Sequence, residues 1–280
     1  MRKVFITHCI RNRKKLNNRC SKLAWILRGL GHEVRISRDI RNAAEYEDVF
    51  IFNGSLKPQK SAAKKLRDQG KNVFFLEVGY FPQAGHLMLG RHGTFGGNLF
   101  KDEVIPANTH DDEMFLQEFF DVYSGGNYRA KDDGYVLCMF QRHRDATIRQ
   151  HCHPSLRTMN SLVKQVEARY PGRRIRCRRH PKEMRRKIYS PSRFTEIVPR
   201  EETLLESIAG ASVVVGINST SLFEAALAGK PVVALGDCPL RDYPDRHRDI
   251  VMEVLRRQIP NNGCEDIVQR IERSIGWKAQ

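Results

Sequence analysis

The run Ser212–Gly236, SVVVGINSTSLFEAALAGKPVVALG, restricts the possible folds more than any other stretch of the chain. Val213, Val214 and Val215 are β-branched and stiff at χ1, so they read as a strand rather than a helix. Gly216 ends that run, and Asn218, Ser219, Thr220 and Ser221 supply side chains that cap a helix start. Leu222, Phe223, Ala226 and Leu227 recur at helical spacing, Gly229 provides the C-terminal stop, and Pro231 to Leu235 open the next strand. Strand, polar turn, short helix and strand make a parallel α/β crossover. Hydroxyls and backbone N–H groups at such a turn can hold an anion at the carboxyl edge of a sheet. Glu224, one turn into the helix, stands where a carboxylate can take ribose hydroxyls. A capped helix with a surface Glu is the plainer alternative.

The rest of the chain repeats this alternation. Strands are expected at Lys3 to Thr7, Val34 to Ile36, Val49 to Phe52 and Val73 to Leu76, with helices over 17 to 29 and up to the stop at Gly70. The first β-α-β lacks a G-x-G-x-x-G turn, so no dinucleotide fingerprint is present. Glu77 falls directly at the carboxyl end of its strand. The aromatic turn to Pro82 and a glycine-rich loop, His92 to Asn98, follow; that loop either covers a substrate or is only a long connection. A helix carrying Met114, Phe115, Phe119 and Val122 precedes a break at Ser124 to Asn127, which places a domain boundary near residue 130. A second α/β set then begins at Tyr135 to Phe140. It continues through a helix over 156 to 169, strands at Arg174 to Arg178 and Phe194 to Val198, the crossover, and two closing helices. The expected fold class is α/β, with two Rossmann-like lobes, 1–130 and 131–280, and a cleft between them.

Composition narrows the functional classes. The 280 residues include 48 Lys and Arg against 32 Asp and Glu, a net charge of +16. Between Arg142 and Pro199 there are sixteen basic residues and four acids, so a net +12 lies in about a fifth of the chain. Such concentration points to a polyanionic partner, nucleic acid or an anionic membrane face, or else to a solvated basic surface. Arg142, Arg144, Arg173, Arg174, Arg176, Arg185, Arg186 and Lys187 are the candidates for phosphate contact. Seven scattered cysteines without a C-x-x-C pair suggest reduced thiols. His151-Cys152-His153 has no second ligand pair at zinc spacing, so no metal site is expected. No long apolar run or signal-peptide core appears, and a cytoplasmic protein, bacterial or in a virus-infected bacterium, is expected. No obligate protein partner is evident.

Polar groups gather at the expected strand ends: Glu77, Gln141 to Asp145, Arg179-His180, and Asn218 to Glu224. Arg179 and Lys182 flank His180 and face hydroxyls, which suits a phosphate leaving group. Asp145, between Arg142 and Arg144, is expected to stay ionised, as a nucleophile or cation stabiliser. The ordinary alternatives are a structural turn histidine at 180 and an N-cap or ion-pair partner at 145.

The order Q-x-x-x-D (Gln141, Asp145), R-x-H-P (Arg178, His180, Pro181) and N-S-T-S-L-F-E-A-A-L-A-G-K-P-V (Asn218 to Val232) resembles capsular polysaccharide glycosyltransferases, the Kdo transferases of the KpsC and KpsS type. Phe75 to Pro82 is similar to their E-N-G-F-F-P stretch, with Val78 where that pattern has Asn. The resemblance implies a GT-B-like fold and a nucleotide-sugar co-substrate, UDP- or CMP-linked, held by the C-terminal lobe, with no tightly bound cofactor. It implies His180 on the donor phosphate, and Ser219, Thr220, Ser221 and Glu224 on phosphate and ribose. Gln141, Arg179, Lys182 and Asn218 complete the expected donor set. Asp145 becomes the candidate nucleophile of a metal-independent, retaining double displacement, with Glu77 as a further catalytic candidate. The basic segment favours DNA, such as a hydroxymethylated base in viral DNA, as acceptor. The alternatives are a capsular or lipid-linked glycan at the membrane face, or a non-catalytic nucleic-acid-binding protein on a transferase scaffold.

Overall fold

The computed structural model describes residues 1–7, 17–52, 57–96, 99–142, 145–183 and 195–277. It separates into two units. Unit 1 comprises Met1–Lys101 together with Val254–Gln280, and unit 2 is Asp102–Glu253.

Unit 1 is built from β1 (Lys3–Thr7), α1 (Asn17–Gly29), β2 (Glu33–Ser37), β3 (Asp48–Phe52), α2 (Lys57–Asp68), β4 (Asn72–Val78) and β5 (His86–Gly90). Its sheet runs β11-β5-β4-β3-β1-β2, where β11 is Ile259–Pro260; β5 is antiparallel to both of its neighbours, β11 and β4, and β4, β3, β1 and β2 are parallel. β3 is buried along its whole length, as expected of a strand covered on both faces. One face packs on α1 and α10 (Ile267–Ile275) through Leu23, Leu27, Phe50, Leu76, Ile271 and Trp277. The other meets α2 through Val49, Ile51, Ala63 and Phe75.

Unit 2 contains α3 (His110–Tyr123), β6 (Tyr135–Met139), α4 (Ala146–Gln150), α5 (Met159–Arg169), β7 (Ile175–Arg178), β8 (Thr195–Ile197), α6 (Leu204–Ala209), β9 (Ala211–Gly216), α7 (Ser221–Leu227), β10 (Val232–Ala234), α8 (Pro239–Asp242) and most of α9 (His247–Arg257). Its five strands are all parallel, in the order β10-β9-β6-β7-β8. The chain reverses its direction of winding between β6 and β9, where doubly wound sheets open a crevice at their carboxyl ends. Ile175 and Cys177 of β7 enter the core with α5, whereas Arg176 and Arg178 alternate to the opposite face. Gly229 takes φ +72, the left-handed conformation that stops α7.

The α/β class with two Rossmann-like lobes is as the sequence indicates, but the division differs from 1–130 and 131–280. α3 and its approach belong to unit 2, where the Asn108 N–H donates to Asp249 Oδ1 at 2.8 Å, Arg246 donates to the Ile105 carbonyl at 3.0 Å, and Arg248 pairs with Glu113. The C-terminal residues return to unit 1 because β11 pairs with β5 and the apolar face of α10 completes that core. β5, which lies between the aromatic turn and the glycine-rich loop and is assigned to no element from the sequence, is a buried strand. Among the described residues no helix is long and apolar enough to cross a membrane. The six described cysteines are free thiols; Cys9 lies outside the described residues.

Candidate functional site

The carboxyl ends of β6, β7 and β9 bring three of the four polar groups to one edge of the unit 2 sheet. At the switch point, Gln141 and Asn218 are both buried and bind each other. The Gln141 amide donates to Asn218 Oδ1 at 3.0 Å, and the Asn218 backbone N–H donates to Gln141 Oε1 at 3.2 Å. Asn218 Nδ2 donates to the carbonyls of Thr147 and His151 at 3.4 and 3.3 Å. These two residues tie the turn before α7 to α4, so they act as a brace that positions their neighbours.

Asp145 is the N-cap of α4. Its Oδ1 accepts from the Thr147 N–H at 2.9 Å and from the Thr147 hydroxyl at 2.7 Å. A local side-chain cap of this kind fixes the carboxylate against the helix start. Thr147 also reaches Gln141 and Asn218 at 3.4 Å, joining cap and brace.

His180 follows β7 and is half-buried. Its Nδ1 accepts from the Lys182 N–H at 3.0 Å, which fixes the neutral ring with its proton on Nε2. Burial pushes its pKa below the usual 6.5, and the charges of Arg142 and Lys182 push the same way, against Asp145 and Glu183. Arg142 and Lys182 are exposed and Arg179 is half-buried.

Ser219, Thr220 and Ser221 are partly exposed at the start of α7. The Ser219 and Ser221 hydroxyls lie 2.6 Å apart, and Ser219 Oγ also accepts from the Ser221 N–H at 3.3 Å. Thr220 makes no side-chain cap. Glu224, one turn on, accepts from the Tyr123 hydroxyl at 2.9 Å through Oε2. Burial raises its pKa, opposed by that hydrogen bond and by Arg178. Arg178 in turn donates to the Glu202 carbonyl at 2.8 Å and to Ser207 Oγ at 2.9 Å. Glu224 and Tyr123 border a groove of about 1040 Å³ that runs along α6 within unit 2.

Glu77 lies in unit 1, buried near the end of β4. The Val78 N–H donates to its Oε1 at 3.1 Å. Burial pushes its pKa up to about 7, against the Val78 N–H and Arg19. It also helps to raise the Cys20 thiol to about 12, after burial itself. In the same unit, the Tyr80 hydroxyl donates to the Thr94 carbonyl at 2.9 Å, folding the glycine-rich loop onto the aromatic turn.

Most of the expected phosphate-contacting arginines that can be located have other partners. Arg176 is half-buried, pairs with Glu202 at 2.7 Å and with Glu196, and lies over the Tyr135 ring. Arg174 pairs with Glu196 at 3.0 Å. Arg173 donates to the Gly134 carbonyl and Ser212 Oγ at 2.8 Å, at the amino end of the sheet, away from His180. Arg142 alone of the located set stands at the carboxyl edge. Arg144, Arg185, Arg186 and Lys187 lie outside the described residues. His153 of the H-C-H run caps the turn after it, taking the Ser155 N–H on Nδ1 at 3.4 Å.

Three residues that the motifs do not single out matter here: Tyr123, Thr147 and Tyr128. Thr147 was open to detection, since Asp-x-Thr at a helix start is a capping pattern. Tyr123 and Tyr128 reach the groove only through tertiary packing.

No family model and no curated protein sequence matches this chain. Among solved structures, the KpsC β-Kdo 2,7 transferase of Thermosulfurimonas dismutans is similar in fold, with a TM-score of 0.60 and 18% identity over 89% of this chain and 88% of that one. The KpsC β-Kdo 2,4 transferase of the same organism gives a TM-score of 0.60 and 14% identity over 88% of each chain. The fold of this protein is therefore similar to that of the transferases its motifs resemble, over most of the chain.

Proposed function

We propose that this protein is a glycosyltransferase that takes a sugar from a nucleotide-sugar donor, UDP- or CMP-linked, bound by unit 2. The observation that carries this reading is the gathering of His180, Asp145 and Ser219 to Ser221 at one carboxyl edge of a parallel sheet, in a fold similar to that of sugar transferases. Neutral His180 would offer its Nε2–H to the departing phosphate, with Lys182 and the Ser219 to Ser221 hydroxyls adding charge and hydrogen bonds. Asp145, held by its cap through Oδ1, would attack the anomeric carbon through Oδ2. The donor C–O bond breaks, the nucleotide leaves with that electron pair, and a glycosyl ester forms on Asp145. An acceptor hydroxyl then displaces the carboxylate and gives up its proton, so configuration is retained overall. That proton passes to solvent. No metal is required for these steps.

The acceptor is read as polyanionic. DNA bearing a hydroxymethylated base draws support from the basic segment and from exposed Arg142 and Lys182 beside His180. An acidic or lipid-linked glycan draws support from the inward pairing of Arg174 and Arg176 and from the fold likeness. A mass-spectrometric screen of nucleotide sugars against hydroxymethylated DNA, unmodified DNA and acidic oligosaccharides tests both. A sugar-sized mass increase on one acceptor class assigns it. Consumption of no donor with any acceptor would refute the transferase reading and leave the non-catalytic alternative.

A further inference from the structure

The Asp145 carboxylate is held through one of its two oxygens. Both hydrogen bonds that described residues make to it fall on Oδ1, and both come from Thr147: the backbone N–H at 2.9 Å and the hydroxyl at 2.7 Å. The two donors differ in what they depend on. The N–H is the N-cap bond of α4, so it fixes the carboxylate whatever side chain stands at 147. The hydroxyl adds a short bond to a charged acceptor, and that bond exists only while position 147 carries a hydroxyl.

This hydroxyl is not required for packing. Thr147 is only partly buried, and Ile148 is the residue of α4 that enters the core. Gln141 and Asn218 lie behind Thr147 Oγ1, each at 3.4 Å, but they bind each other at 3.0 Å and keep that bond without it. The single hydroxyl proton has Asp145 Oδ1 as its nearer and charged acceptor, with Asn218 Oδ1 as the farther one.

A donor on Oδ1 favours the free carboxylate over its ester, because a hydrogen bond to an ionised acceptor is roughly twice as strong as one to a neutral acceptor. When the sugar is taken up, Oδ2 bonds to the anomeric carbon, the donor C–O bond breaks, and the nucleotide leaves with that electron pair; Asp145 loses its charge. When the sugar is released, an acceptor or water oxygen bonds to that carbon and the bond to Oδ2 breaks. Its electron pair returns to the carboxylate, and the proton of the attacking hydroxyl passes to solvent. The Thr147 hydroxyl opposes the first step and assists the second.

We infer that Thr147 is a positioning residue whose hydroxyl, acting through Oδ1, hastens release of the sugar from Asp145 and keeps the glycosyl-enzyme short-lived. This rests on the reading of Asp145 as the nucleophile.

The test is hydrolysis of UDP- and CMP-sugars, followed as nucleotide release and as sugar mass retained on acid-quenched protein, with peptide mapping to place the sugar. In Thr147→Val the sugar should leave Asp145 about tenfold more slowly than in wild type, the magnitude of one charge-assisted hydrogen bond. Its kcat and KM for the donor should fall together, with kcat/KM kept or raised, because only the second step is slowed. Thr147→Ser should restore the wild-type rate, and both variants should melt within a few degrees of wild type. A merely structural role would misplace the carboxylate, lower kcat/KM and retain no sugar. If Thr147→Val gives that result, or loses the sugar as fast as wild type, or if Ser does not restore the rate, the inference fails; nucleotide release that still depends on Asp145 then leaves the donor reading standing. If wild type releases no nucleotide, or Asp145→Asn releases it as fast as wild type, the reading of Asp145 fails and the inference falls with it.

Discussion

Replacing Glu77 by Gln should make unit 1 more stable at neutral pH and hardly change it in acid. Burial lifts the Glu77 carboxyl from the ordinary 4.5 to about 7. Between those values the folded protein keeps the proton and the unfolded chain releases it, so wild-type stability falls as pH rises. Over that interval the loss amounts to about 3 kcal/mol, at about 1.4 kcal/mol for each tenfold change in proton activity. Gln carries no such slope, and its amide oxygen can still accept from the Val78 N–H. The assay is urea denaturation followed by tryptophan emission. Both tryptophans of the chain, Trp25 and the buried Trp277, lie in unit 1, so the signal reports that unit. The two proteins should be nearly equal at pH 4.5 and separate by about 3 kcal/mol, Gln the more stable, near pH 7.5. Parallel stability curves across that range would refute the argument that the carboxyl is buried against its charge.

Further expectations follow from the unit 2 site. Asn218→Ala removes the four hydrogen bonds of the Asn218 side chain, keeps the one from its backbone N–H, and should cost about 2 kcal/mol by stripping the buried Gln141 amide of its main partner; thermal denaturation within about 0.5 kcal/mol of wild type would contradict this. Asp145→Asn keeps a helix cap and should change stability by less than about 1 kcal/mol, while abolishing donor turnover; retained turnover would remove Asp145 from the mechanism. The acid limb of the pH–rate profile should lie below the usual histidine value of 6.5, because burial and Arg142 hold His180 neutral, and a limb at or above 6.5 would contradict that. In the fold, a histidine whose pKa is depressed destabilises the protein as pH falls below 6.5, where the unfolded chain alone takes up the proton. If DNA is the acceptor, retention on DNA should fall steeply with salt, and Arg142→Ala should weaken it more than Arg174→Ala, since Arg174 is already paired with Glu196; equal effects would count against an interface at the carboxyl edge.

The parallel strands and the unit 2 crossover were legible because their signals are local. Val213 to Val215, the polar cluster from Asn218 and the stop at Gly229 fall where β9, α7 and its left-handed terminus form. The boundary was not legible, because a break at Ser124 to Asn127 marks the end of a helix whatever unit that helix joins. Only the bonds from α3 to α7 and α9 assign it. Charge counting does not reveal the acidic partners of Arg176 for a related reason. It sits beside Glu196 in the parallel register of β7 and β8, and composition cannot supply a register. The motifs place Gln141 and Asn218 separately among the donor-binding candidates. The structure adds that they bind each other and tie the turn before α7 to α4, a pairing that spacing does not carry.

The central claim is that the carboxyl edge of unit 2 cleaves a nucleotide-sugar bond, and chromatographic measurement of free nucleotide released from UDP- and CMP-sugars tests it most directly. Wild type should release UDP or CMP from at least one donor, and Asp145→Ala and His180→Ala, both folded, should lower that release by at least about a hundredfold. Equal release by wild type and both variants would contradict the account.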